Sequence, residues 1–205
     1  MELQERDIRI LKEISRWRFL LGRHVVGLCD FPSQSTASRR LRALVEGKYL
    51  ERKRVLYGFP ALYTVAHKGR VLIGANKRAD KVNLALIPHN VAALDTAIYF
   101  HEVLGVPMAD FVTEKEMHVA DGFATRRHRP DFLYHENGGT VAVEIELSLK
   151  SLDSLRDNIK VNYIEYERQI WVLEKRNTKL ERTILNEIEH YPGVEVLYLT
   201  DILNR

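Results

Sequence analysis

Pro130-Asp131, followed by the run Val141-Ala142-Val143-Glu144-Ile145-Glu146-Leu147-Ser148-Leu149-Lys150, sets three carboxylates and a lysine around two short apolar stretches. Strand side chains alternate between faces, so Glu144 and Glu146 project to one side. Asp131, near the start of the preceding strand, is expected to meet them there. Together the three would hold a hard cation such as Mg2+. Lys150, just beyond the strand, is suited to steady the charge of a phosphodiester under attack. A plainer reading uses the same alternation. Glu144 and Glu146 would line the solvent face of an exposed hairpin, with Val143, Ile145 and Leu147 buried and Lys150 an ordinary surface partner. Periodicity does not separate the two.

The rest of the chain bounds what such a cluster can belong to. Its 205 residues leave room for one large domain or two small ones, and 45% hydrophobic with 29% charged residues is a globular composition. The single cysteine, Cys29, excludes an internal disulfide and a cysteine-rich zinc site. No apolar run approaches a membrane span, and the N-terminus opens on charged residues, so a cytoplasmic protein without a membrane partner is expected. The net charge of +3 hides an asymmetry. Residues 1–80 carry 17 Lys and Arg against 8 Asp and Glu, and residues 81–205 carry 14 against 20. Segregation of this kind implies different tasks for the two parts. We therefore expect two domains, 1–80 and 81–205.

The basic part reads as three helices and a hairpin. Residues 5–16 are helical by apolar spacing, a short helix covers about 22–29, and Ser33 offers an N-cap to a third helix ending at Glu46. Ala37, Leu41, Leu44 and Val45 form its buried stripe, and Gly47 is placed to end it. Gln34, Ser35, Ser38, Arg39 and Arg42 take the opposite face. Residues 50–57 and 61–65 then form a basic hairpin containing Arg52, Lys53 and Arg54. This is the plan of a winged helix-turn-helix, whose third helix enters the major groove of double-stranded DNA while the wing grips the backbone. Arg39 and Arg42 suit guanine edges; Arg52, Lys53 and Arg54 suit phosphates.

In the acidic part a helix follows Pro88, with Val91, Leu94, Ile98 and Val103 on its buried stripe and Gly105 as its stop. Strands are expected at about 111–119, 132–135 and 140–147, the last two joined by the Asn137-Gly138-Gly139 turn. A helix with Leu152, Leu155, Ile159 and Tyr163 inward, a strand at 170–173, a helix at 178–191 and a strand at 194–199 complete it. The order αβββαβαβ predicts a mixed α/β sheet flanked by helices, so the whole chain is α+β.

Pro-Asp on one strand and Glu-x-Glu on its hairpin partner, in that order of elements, resembles the PD-(D/E)xK nuclease superfamily over about residues 88–200. The resemblance implies that Asp131 and Glu144 bind Mg2+ or Mn2+, that Glu146 stands where lysine is usual, and that Lys150 supplies the displaced cation. Asp95 and Glu102 are its two candidates for a further acidic residue on the first helix. The chain as a whole resembles the replication-relaxation family of plasmids and other mobile elements. The residues that carry this are Glu5-Arg6-Asp7-Ile8-Arg9-Ile10-Leu11, Arg39-Arg40-Leu41-Arg42-Ala43-Leu44, Leu62-Tyr63-Thr64-Val65-Ala66-His67-Lys68-Gly69, His89-Asn90-Val91-Ala92, Arg129-Pro130-Asp131 and Val143 to Ser148 with Lys150-Ser151. It implies DNA binding in plasmid replication, DNA relaxation or conjugative transfer, with replication or transfer proteins, or a second copy of the chain, as partners.

Two functional readings stand at this point. In one, a metal-dependent endonuclease finds its site with the winged helix; Glu146 holds or deprotonates water and Lys150 steadies the transition-state charge. In the other, a non-catalytic regulator or relaxosome accessory protein uses the nuclease-like domain for dimerisation or docking. His128 and His135 flank Asp131 and are candidates to orient the cluster. The histidines show no paired spacing for zinc, and no glycine-rich nucleotide loop is present. Tyr163 and Tyr166 lie near the acidic hairpin in sequence, with Tyr163 read as core.

Overall fold

The computed structural model describes residues 2–55, 57–76, 78–122, 127–148, 151–174 and 178–204. Lys150, one of the four expected catalytic residues, lies outside them. The chain is a mixed α/β protein with two separate sheets. It divides into two compact units, Met1–Ile87 and Pro88–Arg205.

The first unit begins with α1 (Glu5–Arg16), whose Ile10, Leu11 and Ile14 are fully buried. Asp7 turns back to accept from the Gln4 N–H (2.7 Å), occupying one of the donors that a helix start leaves unpaired. A two-residue strand, β1 (Leu20–Leu21), leads into α2 (Gly22–Leu28). Then comes α3 (Gln34–Glu46), capped by Ser33 Oγ accepting from the Thr36 N–H. Ala37, Leu41 and Leu44 are buried at helical spacing. Gly47 does not take the left-handed conformation that its position predicts; its φ is −72° and the following Lys48 adopts φ +61°. The Tyr49 and Lys48 N–H groups donate to Leu44 O and Val45 O, so a Schellman closure forms one residue later than the glycine suggested. The hairpin strands are β2 (Leu50–Lys53) and β3 (Leu62–Val65), in the register Leu50↔Val65 to Lys53↔Leu62. With β1 they form an antiparallel sheet of order β1-β3-β2. A short α4 (His67–Leu72) follows.

The second unit starts with α5 (Ile87–Glu102), with Pro88 in the first turn, where its missing N–H costs nothing. Leu94, Ile98 and Phe100 are buried, whereas Val103, expected inside, is exposed beyond the helix end. The stretch 111–119, read as one strand, is instead β4 (Phe111–Thr113) followed by α6 (Glu114–Asp121). The reason is local. Thr113 Oγ1 accepts from the Glu116 N–H, and the Glu116 carboxylate accepts from the Thr113 N–H, a capping box that starts a helix there. Then come β5 (Phe132–Glu136), β6 (Gly139–Glu146), α7 (Leu152–Glu165), β7 (Arg168–Leu173), α8 (Thr178–Ile188), β8 (Val194–Tyr198) and α9 (Leu199–Leu203). The order of this unit is therefore αβαββαβαβα rather than αβββαβαβ. Asn137 and Gly138 both have positive φ, as a tight hairpin turn between β5 and β6 requires.

The five strands run in the order β4-β5-β6-β7-β8. The first two pairings are antiparallel and the last two parallel, with α7 and α8 as the crossovers. This puts β6 in the centre, covered on both faces. On one face Phe100 packs edge-on against Phe132 and Tyr134, with Phe111 beside them. On the other, Trp171 and Leu173 of β7 pack with Leu155 and Ile159 of α7 and Leu180 and Ile184 of α8. Tyr163 and Leu152, expected on the inward stripe of α7, are 42% and 39% exposed. Asn162 points inward instead. Among the described residues, no helix is long and apolar enough to cross a membrane.

Candidate functional site

The acidic cluster is interior. Glu144 and Glu146 are 5% and 3% exposed, so the solvent-face reading of the hairpin is overturned. Because β6 is central, its two faces are both core faces, and alternation has placed two carboxylates on one of them. Apolar burial there is unfavourable to charge, so each carboxylate needs a partner.

Asp131 sits just before β5, where its backbone continues the ladder. Its N–H donates to Val143 O (3.0 Å), and its carbonyl accepts from the Glu114 N–H (3.2 Å). The side chain is fixed at both oxygens: Oδ2 accepts from the Ile145 N–H (2.7 Å), and Oδ1 lies 2.6 Å from His89 Nε2 in the first turns of α5. Glu144 gathers its bonds on one oxygen. Its Oε1 accepts from Asn162 Nδ2 of α7 (2.8 Å) and lies 2.5 Å from His128 Nε2. Burial raises the Glu144 pKa, the His128 bond opposes the rise, and the negative charge of Asp131 adds to it. Asn162 is wholly buried, and among the described residues its Oδ1 has no hydrogen-bond partner.

Asp131 and Glu144 therefore each have an imidazole of their own. Asp131 and Glu144 fall within electrostatic reach of one another, and Glu146 is buried two residues further along the same face. His135, the other flanking histidine, is exposed and pairs with Thr140 Oγ1 (3.2 Å). Asp95 is buried within α5, and Glu102 is exposed at its end. The sequence reading assigned no role at this cluster to His89 or Asn162. His89 is 42 residues from Asp131 and entered only as part of the run His89-Asn90-Val91-Ala92, which pointed to no partner. Asn162 gave one: it follows Leu155 and Ile159 at helical spacing, a polar residue on an apolar stripe.

Carboxylate and amide oxygens are the donor types that a hard cation takes. Among the described residues no three His, Cys, Asp or Glu side chains are gathered as a metal group. Asp131 and Glu144 instead each lie against one histidine, His89 and His128.

The residues expected to meet DNA all lie in the first unit. Gln34, Ser35, Ser38, Arg39 and Arg42 are all exposed along α3, and Arg52, Lys53 and Arg54 are exposed on the hairpin. Between helix and hairpin runs a groove of about 490 Å³ lined by Ser38, Arg42, Val45, Glu46, Arg52 and Tyr63. Lys53 Nζ is 2.9 Å from Glu51 on its own strand, an exposed pair of little strength. Arg40, next to Arg39 in sequence, belongs to the interior side of the helix and grips the buried Asp7 with two nitrogens.

No protein-family model, curated protein or solved structure matches the chain.

Proposed function

We propose that this chain is a double-stranded-DNA-binding protein whose first unit is a winged helix and whose second is a PD-(D/E)xK-type domain. The observation that carries the reading is the exposed face of α3, which opens with Arg42 and Ser38 onto a groove whose other wall is Arg52 and Tyr63. The element sequence of helix, short strand, two helices and hairpin, with sheet order β1-β3-β2, supports it. Small polar side chains at the start of α3 leave room for base edges, and the cations behind them neutralise phosphates. On DNA, Lys53 exchanges Glu51 for a phosphate at little cost. On the sequence resemblance to replication-relaxation proteins, this binding would serve an origin of replication or transfer on a mobile element.

Binding of a labelled mixed-sequence duplex, followed by anisotropy over about 50 to 200 mM salt, tests this reading. The affinity is expected to fall steeply with salt. Arg42→Ala and Arg52→Ala each weaken binding and shallow the log–log slope by about one. An unaltered chain that does not bind at low salt would end the proposal.

In the second unit, Asp131 and Glu144 would hold Mg2+ or Mn2+, with Glu146 beside them. A bound ion would lower the pKa of a water and offset charge on the phosphate. His89 and His128 hold the two carboxylates in place, and Asn162 fixes the direction of Glu144. Nicking of supercoiled plasmid in Mg2+ or Mn2+, absent in EDTA and in Glu144→Ala, is the expected result.

The contact of each of these two carboxylates with a histidine favours a second reading. There the domain is non-catalytic, the pairs are structural, and the second unit serves dimerisation or docking. DNA binding without cleavage, equal in the unaltered chain and Glu144→Ala, selects it.

A further inference from the structure

Between β2 and β3 the hairpin carries an aromatic side chain that the protein itself does not use. Tyr57 is 108% exposed, more than in an extended reference chain. The next residue, Gly58, has φ +73°, and a Cβ placed there would meet nothing within 4 Å, so this end of the hairpin stands in open space. Other aromatic rings of the same unit are engaged. Arg6 lies over Phe31 at 4.9 Å, Lys68 lies over Tyr49 at 4.1 Å, and Tyr63 lines the groove. The chain leading to Tyr57 is strongly cationic, with Arg52, Lys53 and Arg54 all exposed.

An aromatic ring held away from the protein at the end of a cationic arm has a specific complement. A protein hot spot places such a ring inside an apolar patch from which charges are depleted. Nucleic acid offers negative phosphates for the arm and, between them, flat π-faces for the ring. Side chains that press into base steps from the minor groove act this way, partly unstacking the step. We infer that Tyr57 is a wedge that stacks on a base step of the duplex beside the segment occupied by α3. The inference rests on the DNA-binding reading of the first unit and adds to it a contact that carries no charge.

That difference makes the contact separable. Removing a cation changes both affinity and its salt dependence, whereas removing an uncharged ring changes affinity alone. Tyr57→Ala is expected to weaken duplex binding about ten-fold at any one salt concentration and leave the log–log slope unaltered. Tyr57→Trp retains the affinity, and its added emission is quenched when a duplex binds. A duplex carrying 2-aminopurine brightens with the unaltered chain and stays dark with Tyr57→Ala. If Tyr57→Ala binds as tightly as the unaltered chain while Arg42→Ala binds more weakly, the wedge is refuted and the DNA reading stands. If the unaltered chain binds no duplex, both fall together.

Discussion

His128 Nε2 and Asn162 Nδ2 converge on the same oxygen of Glu144, at 2.5 and 2.8 Å, inside a sheet that is covered on both faces. The carboxylate is thus oriented by two side chains yet remains desolvated, and burial leads the upward shift of its pKa. Between the ordinary carboxylate value and the raised one, the folded chain keeps a proton that the unfolded chain has released. Stability contributed by this group therefore falls as pH rises through that window, and stays lower above it. Glutamine accepts the same two bonds and never ionises. Glu144→Gln is expected to raise the melting point of the second unit at pH 8, by an amount corresponding to about 1 kcal/mol, and to lose the advantage near pH 4. Trp171, paired with Glu144 across β6 and β7, reports the transition in a Trp17→Phe background. An equal gain at both pH values would place the buried proton elsewhere.

In the first unit the buried charge has a charged partner. Asp7 is fully buried and is held by the Arg40 guanidinium and the Gln4 N–H. Taking away one partner of a buried pair leaves a charge with no compensation. Arg40→Leu is expected to cost about 3 kcal/mol, and Asp7→Leu in the same chain to recover much of the loss. Urea unfolding followed at Trp17, in a Trp171→Phe background, measures both. Cys29 offers a second readout. It is buried, and desolvation, aided by the Glu13 charge, pushes its thiol up to about 12. The native thiol is then expected to resist iodoacetamide at pH 8, and Arg40→Leu to speed its alkylation by opening the unit. Because Arg40 faces inward, DNA affinity of the folded double variant should match the unaltered chain. A loss there would mean that Arg40 also serves the exposed face of α3.

What the sequence made legible follows the reach of each signal. The span of α1, the Ser33 cap, the end of α3 at Glu46 and the Asn137-Gly138 turn depend on neighbours within four residues, and all are where their residues put them. The α6 helix was equally local, but its capping box at Thr113 and Glu116 lay inside the stretch 111–119 that read as one strand. Asp131, Glu144 and Glu146 were found because one hairpin joins them. His89 comes from another element, and which helix end reaches Asp131 is decided by packing that no local pattern encodes. The burial of Glu144 and Glu146 was hidden for the same reason. Alternation gives a common face, and only the two parallel crossovers after β6 make that face interior.

Two backbone positions in the first unit respond oppositely to a change of one side chain. Gly69, in α4, stands against the turn after α3: a Cβ there would lie 2.3 Å from Tyr49 O, 2.8 Å from Val65 Cγ1 and 3.2 Å from Leu11 Cδ2. The nearest of these is backbone, held by the Tyr49 N–H bond to Leu44 O and by Tyr49 O accepting from the Ala66 N–H, so it has little freedom to yield. Gly69→Ala is expected to destabilise the unit by about 2 kcal/mol despite alanine's better helix propensity. Lys48, directly before Tyr49, holds φ +61°, which costs a residue with a Cβ about 1 kcal/mol and costs glycine little. Lys48→Gly is therefore expected to stabilise by about 0.5 kcal/mol, the gain being reduced by the greater freedom of glycine in the unfolded chain. Urea titrations at Trp17 in the Trp171→Phe background should give midpoints on opposite sides of the parent. If Gly69→Ala is neutral, α4 can slide away from Tyr49 and its close approach is not a constraint on the fold.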